Sequence, residues 1–392
     1  MKFRNRFPGR GLYRARTLAL AVPVGFSIGI SSSAHAQSSV TLTGNLDAGV
    51  LYANNSNGHS VSTATSGQIV PSRFWLRGKE DLGGGLAAVF TLLLPFNIQN
   101  GRGLGAREFN VSYVGLSDQR WGTLTFGRQW DPTIDAVGNF ASAGTWAGVV
   151  GSHVGDSDNT DVTIKTSNTV KYSSPDLAGF KWGASYAFSN AASSSDGSGF
   201  TDNRSFAGGA SYARGPLALG IGFWEADRPN GQSAGAIGST SSSVVNDYGN
   251  VFDTSVNGAG VLRQRTYLAG GSYQFGRFGL GGIFTRVQFD YLDATSLSLD
   301  NYEVNAGFQW TPTLRTSIAY IRTDGRYEGT GTASPGWDQI NVGALYALSK
   351  RTRLYLIGVA QQGRHADAQI YGVSPSSTRR QLVVTTGVQT NF

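Results

Sequence analysis

The chain has 392 residues and a formal charge of +7, from 32 Lys and Arg against 25 Asp and Glu. It contains no cysteine, which excludes a disulfide scaffold, a thiol nucleophile and a cysteine-ligated zinc or iron–sulfur centre. The 54 glycines argue against a helical protein, the 11% aromatic content argues against a disordered one, and the 15% charged content lies well below the roughly 25% of soluble domains.

Lys2, Arg4, Arg6, Arg10, Arg14 and Arg16 open the chain without an acid, followed by an apolar run from Leu18 to Ile30 and then Ala34, His35 and Ala36. This order is that of a secretory signal peptide over residues 1–36. The apolar run is shorter than the roughly 20 residues a spanning helix needs. Removing the leader takes six cations with it and leaves 26 basic against 25 acidic residues, a charge of +1. The basic excess therefore belongs to the leader, and no nucleic-acid partner is expected.

The rest of the chain alternates with a period of two, which reads as strands. Val40, Leu42, Leu46, Ala48, Val50 and Tyr52 share one face, opposite Thr41, Thr43, Asn45 and Asp47. Phe180, Trp182, Ala184, Tyr186 and Phe188 oppose Lys181, Gly183, Ser185, Ala187 and Ser189. Tyr302, Val304, Ala306, Phe308 and Trp310 oppose Glu303, Asn305, Gly307 and Gln309. In the last segment Leu382, Val384, Thr386, Val388, Thr390 and Phe392 fall together. Tight turns are signalled at 81–84, 118–122, 175–179, 214–216, 275–277, 311–313 and 349–351. Longer polar segments are expected at about 54–71, 98–106, 130–166, 191–202, 228–262, 290–300, 324–337 and 364–379. Seven turns and eight loops join 16 strands, and the 356 residues after the leader suffice for that number.

Low charge, an apolar outer row and aromatic residues near its ends (Tyr52, Trp182, Trp310, Phe392) fit a membrane barrel with a polar lumen. Such a sheet must close, because an open edge would leave backbone groups unpaired in hydrocarbon. The expectation is all-β: a 16-stranded antiparallel transmembrane β-barrel. A secreted soluble β protein is the plainer alternative.

Several stretches resemble the general-diffusion porins of Gram-negative bacteria, especially the beta-proteobacterial type. They are SVTLTGNLDAG from Ser39, SRFWLRGKEDLGGGL from Ser72, YVGLS from Tyr113, GTLTFGRQ from Gly122, NTVKYSSP from Asn168, YALSKRT from Tyr346, and the terminal Phe392. The resemblance runs over residues 39–392. It implies a homotrimeric outer-membrane channel for ions and small hydrophilic solutes, embedded in outer-membrane lipid and lipopolysaccharide. It also implies a third loop folded inward (130–166) and a C-terminal Phe392 read by the outer-membrane assembly machinery. No enzyme activity, cofactor or metal is implied.

In such a channel the chemistry is pore width and field. Phe74 and Leu76 mark the lipid face, so Arg73, Trp75, Arg77 and Lys79 are expected to point inward. The same alternation places Lys171, Lys181 and Arg315 in the lumen. Arg128 matches a family motif, but its parity with Leu124 and Phe126 is outward, which places it where strand gives way to loop. The opposing acids are expected from the third loop, with Asp131, Asp135, Asp156, Asp158 and Asp161 available, each also readable as a solvated loop charge. Two positions depart from the family: Asn110 stands where an arginine is usual, and Leu93 where an inward acid is usual. Together these point to weak anion selectivity from Arg73, Arg77 and Lys171.

Three other signals are thin. His59, His153 and His365 lie in loops without ligand or triad spacing. Gly101, Gly103 and Gly105 lack the context of a phosphate loop. The Asp-rich stretch 155–161 has calcium-type oxygen ligands, but a solvated loop is preferred. The rival functions are a substrate-specific channel guided by Trp75, Trp130 and Trp146, a binding or adhesion barrel using loop 228–262, and a lipid-modifying enzyme, which the sparse histidines disfavour.

Overall fold

The computed structural model describes residues 38–103, 109–190, 199–230, 235–237, 248 and 251–392; the expected leader, 1–36, lies outside the described residues. The strands are β1 (Ser39–Ser56), β2 (His59–Ser66), β3 (Arg73–Gly83), β4 (Leu86–Pro95), β5 (Val111–Asp118), β6 (Gly122–Gln129), β7 (Thr166–Ser173) and β8 (Phe180–Ala187). They continue as β9 (Arg204–Arg214), β10 (Leu217–Asp227), β11 (Val261–Phe275), β12 (Phe278–Tyr291), β13 (Ser296–Gln309), β14 (Leu314–Glu328), β15 (Gly336–Ala347), β16 (Thr352–Arg364) and β17 (Arg380–Asn391). Every pairing is antiparallel. β2 and β3 pair with successive parts of β1, so the 17 segments make 16 staves.

The sheet closes where β1 meets β17, in register from Asn45 opposite Asn391 to Ala53 opposite Val383. Gly44 and Phe392 exchange backbone hydrogen bonds of 3.0 Å beyond that ladder. All seven expected tight turns fall between strands, at one end of the barrel. Two expected long loops are different. Asn57 and Gly58, with φ of 52° and 91°, turn β1 directly into β2, so 54–71 is mostly a hairpin. Only residues 292–295 separate β12 from β13, where 290–300 was expected to be irregular.

Side chains alternate as lipid and lumen require. Val40, Val50, Ile221, Val304 and Ile318 are more than half exposed on the outside, while Asp47, Gln264, Thr285, Asn301 and Asn341 are fully buried within. Tyr52, Trp182, Trp310 and Phe392 are exposed, as aromatic girdle residues should be.

Toward the long-loop end the polarity inverts while the period stays two. Phe289, Tyr291, Leu297, Leu299 and Trp337 point inward and pack with Val154, Ile164, Ile237, Tyr248 and Phe252, which come from loops folded into the barrel. Parts of the 228–262 segment therefore line the interior rather than an outer recognition surface. The outer face of the wall at this end carries ion pairs: Arg204–Asp227 at 2.7 Å, Arg286–Asp300 at 2.6 Å, Arg322–Asp324 at 2.9 Å and Arg265–Asp290. Water faces this outer wall and loops fill the inside, so the rule of apolar residues outside no longer holds there. That is why the stretch around 290–300 read as loop.

Candidate functional site

Residues 130–165 leave β6, enter the barrel and return at β7. The segment opens with helix α1 (Pro132–Val137). Asp131 caps it, accepting the Thr133 backbone N–H at 2.8 Å, and proline stands at its first turn. α1 lies flat on glycines of the inner wall. A Cβ added at Gly209 would stand 2.5 Å from the Pro132 carbonyl oxygen, and one at Gly220 would stand 2.1 Å from that of Ala136. Farther on, Trp146 covers Gly343, and the Val149 N–H donates to the Gln68 carbonyl at 3.0 Å. The loop thus runs around the inside of the barrel and holds its wall at several points.

Its strongest anchor is a buried ion cluster. His153 Nδ1 lies 2.5 Å from Asp158 Oδ2, and Nε2 lies 3.1 Å from Glu303 Oε2 on β13. Thr285 donates to Asp158 at 2.5 Å, and Glu303 Oε1 accepts the Ser142 N–H at 2.6 Å and Asn305 at 2.8 Å. Burial works against the imidazolium, but Asp158 and Glu303 outweigh it and hold the His153 pKa up at about 10. Burial likewise opposes the Asp158 carboxylate, yet His153 keeps its pKa below the ordinary value. Sequence reasoning missed Glu303, although its place between outward Tyr302 and Val304 marked it as an inward acid needing a partner.

The acids of the loop separate accordingly. Asp131 is a cap, and Asp158 belongs to the anchor. Asp156 is buried and accepts the Asp161 N–H at 2.8 Å and the Thr163 hydroxyl at 2.6 Å; burial and the neighbouring Asp158 raise its pKa. The stretch 155–161 is thus packed and internally bonded, contrary to the solvated reading. Asp161 is partly exposed, and Asp135 is the most open of the five.

The basic residues are distributed along the wall. Arg73 and Arg77 flank Trp75 on β3, with guanidinium carbons 5.2 and 4.2 Å from its ring centroid. Arg73 Nε also donates to Asn45 at 3.2 Å. Lys79 lies exposed near the short turn. Arg128 leaves the row of Leu124 and Phe126, because the register with β7 shifts at Gly127, whose φ is 135°. Its guanidinium is buried against the carbonyls of Asn110 (3.0 Å) and Lys165 (3.1 Å) and the hydroxyl of Ser167 (3.0 Å). Lys181 sits 3.4 Å from Asp176 at the turn end, and Arg315 lies over Gly307. Arg353, in the inward row with buried Tyr355 and opposite outward-facing Leu354 and Leu356, was missed; it donates to Gln389 at 2.6 Å. It shares a polar cavity of about 360 Å³ with Arg73, Asn45 and Gln389.

Lys171 is not a free charge. It donates to the Trp130 carbonyl at 2.9 Å and pairs with Asp135 at 2.6 Å. Asp135→Asn removes the countercharge while leaving the carbonyl contact. The reversal potential in a KCl gradient should then shift modestly toward the anion limit, because one exposed acidic charge leaves the inner wall while Lys171 stays anchored. No shift would mean that this pair lies outside the ion path.

The family model for Gram-negative porins matches residues 18–364. The outer membrane porin protein of Bordetella pertussis is 29% identical, over 87% of this chain and 92% of its own. Outer membrane porin protein 32 of Delftia acidovorans is 28% identical, over 86% of each. The solved anion-selective porin from Comamonas acidovorans superposes with a TM-score of 0.71 at 25% identity, over 91% of this chain and all of that one. With its closed 16-stranded barrel and inward loop, the chain belongs to the Gram-negative porin family and is an outer-membrane diffusion channel, not an enzyme.

Proposed function

We propose that the channel passes ions and small hydrophilic solutes down their gradients with a weak preference for anions. The observation that carries this is the charge balance of the inner wall. Arg73, Arg77 and Arg353 contact aromatic or amide groups and have no ion-pair partner among the described residues. Asp131, Asp156 and Asp158 are meanwhile buried and hydrogen-bonded within the loop. Arg73 and Arg77 carry the preference; Lys171, neutralised by Asp135, contributes less than its position alone would give. The anion-selective porin from Comamonas acidovorans supports the same sign.

The reading extends to partners: a homotrimer, held in outer-membrane lipid and lipopolysaccharide, delivered by a leader ending at Ala36 and inserted by assembly machinery that recognises Phe392. The decisive measurement is the zero-current potential in a salt gradient across a planar bilayer. Wild type should favour chloride, and Arg73→Glu with Arg77→Glu should bring the channel to neutrality or cation preference. Clear cation preference in wild type would refute the proposal, and absence of conductance would favour a plugged binding barrel.

A further inference from the structure

The two arginines on Trp75 belong to a larger surface. Trp75 meets Trp130, at the mouth of the inward loop, with ring centroids 5.7 Å apart and planes tilted by 43°. Lys165, from the returning end of that loop, sets its ammonium 5.8 Å from the Trp130 ring. That ammonium donates to the Thr163 carbonyl at 2.8 Å, and the Trp130 indole N–H donates to the Val162 carbonyl at 3.3 Å. The rings are therefore held from three directions: by β3, by the start of the loop and by its end. Neither indole is fully buried, and Arg77 is exposed.

The contrast with the other arginines is informative. On the outer wall Arg204, Arg263, Arg286, Arg322 and Arg364 all have aspartate partners. Arg73 and Arg77 instead stack on an indole and have no carboxylate partner among the described residues. A guanidinium presents a planar fork of donors that matches a carboxylate. A tilted pair of indoles presents a π surface that favours a flat ring over a puckered one. Simple anion selectivity needs only the charges; the paired rings add a preference for ligand shape.

We propose that Arg73, Trp75, Arg77 and Trp130 form a binding subsite for planar aromatic carboxylates on the permeation path, the carboxylate on an arginine fork and the ring against the indoles. The subsite rests on the anion-channel reading above and adds a solute class to it. It makes the channel discriminate between organic anions of equal charge and similar size.

The test uses the purified full-length protein in planar bilayers, with benzoate and cyclohexanecarboxylate added separately to KCl. Both carry one carboxylate on a six-membered ring, and only benzoate is flat and aromatic. Benzoate should reduce the chloride current saturably, at a concentration about threefold to tenfold lower than cyclohexanecarboxylate, the range expected for one aromatic stacking contact. Trp75→Leu should bring the two acids to equal potency, and Trp75→Phe should keep part of the difference. Trp310→Leu, on the outer girdle, should leave the ratio unchanged. If Trp75→Leu does not assemble, Trp130→Leu provides the same comparison. Equal block by both acids in a wild-type channel that still prefers chloride overturns the subsite alone. A wild-type channel with no anion preference overturns the underlying reading as well.

Discussion

Glu303→Ala should loosen the constriction loop, raising open-channel current noise and lowering the thermal midpoint of the purified barrel. Glu303 is 2% exposed and holds three groups at once: the His153 ring, the Ser142 N–H and the Asn305 amide. Removing it leaves a buried imidazolium with only Asp158 as its partner. Breaking one side of a buried ion cluster costs about 3–5 kcal/mol. The same substitution should cost much less in a His153→Gln background, because the stranded charge is gone and the two positions are coupled. Wild-type noise and midpoint in the single variant would show that the loop is held by its other contacts alone.

The cluster also sets a pH range. The His153 pKa is raised from 6.5 to about 10 by Asp158 and Glu303 against the cost of burial, with Asp156 the further acid close by. A group whose pKa is higher folded than unfolded stabilises the fold fully below its unfolded value and loses that contribution as pH rises through the folded one. The anchor should therefore be firm at neutral pH and weaken toward pH 10. On the acid side the depressed pKa of Asp158 runs the other way, preserving the pair until pH falls below its ordinary 3.8. Current noise recorded against pH should rise on the alkaline limb in wild type, and His153→Gln should lack that step.

Strand faces were legible because lipid and lumen impose opposite demands on neighbouring residues. Val304 at 60% exposure beside Glu303 at 2% shows how sharply the demand alternates. The signal was misleading where the surroundings changed: at Phe289–Leu299 the inward row became the apolar one. Arg128 was ambiguous by parity alone, although Gly127 is the residue type that tolerates a bulge. The anchor was illegible for a different reason. His153 and Glu303 lie 150 residues apart, and only barrel closure brings the loop against β13. A lone loop histidine carries no trace of that contact.

The abundance of glycine has a consequence for the pore itself. Gly209, Gly220 and Gly222 floor the inner wall beneath α1; at the first two the helix backbone rests on the wall backbone, and at Gly222 the Thr133 side chain does. A Cβ at position 220 would lie 2.1 Å from the Ala136 carbonyl oxygen and 2.9 Å from the Phe140 ring. Normal non-bonded contact is about 3.5 Å, so even Gly220→Ala requires a shift of about 1.4 Å, and Gly220→Leu a larger one. The sheet is held by ladders on both sides of β10, whereas α1 is a single turn and a half on a loop. α1 is therefore the element that yields, moving off the wall toward the lumen. Single-channel conductance should fall from wild type to Ala and further to Leu, with a stability cost of about 1–3 kcal/mol typical of overpacking. Adding Asp135→Ala to Gly220→Leu should recover little of that conductance, since the backbone of α1 and not its side chains fills the space. A Leu variant that assembles with wild-type conductance would mean that α1 does not border the permeation path. A larger conductance would mean that the wall had expelled the loop altogether, with the His153 anchor broken in the process.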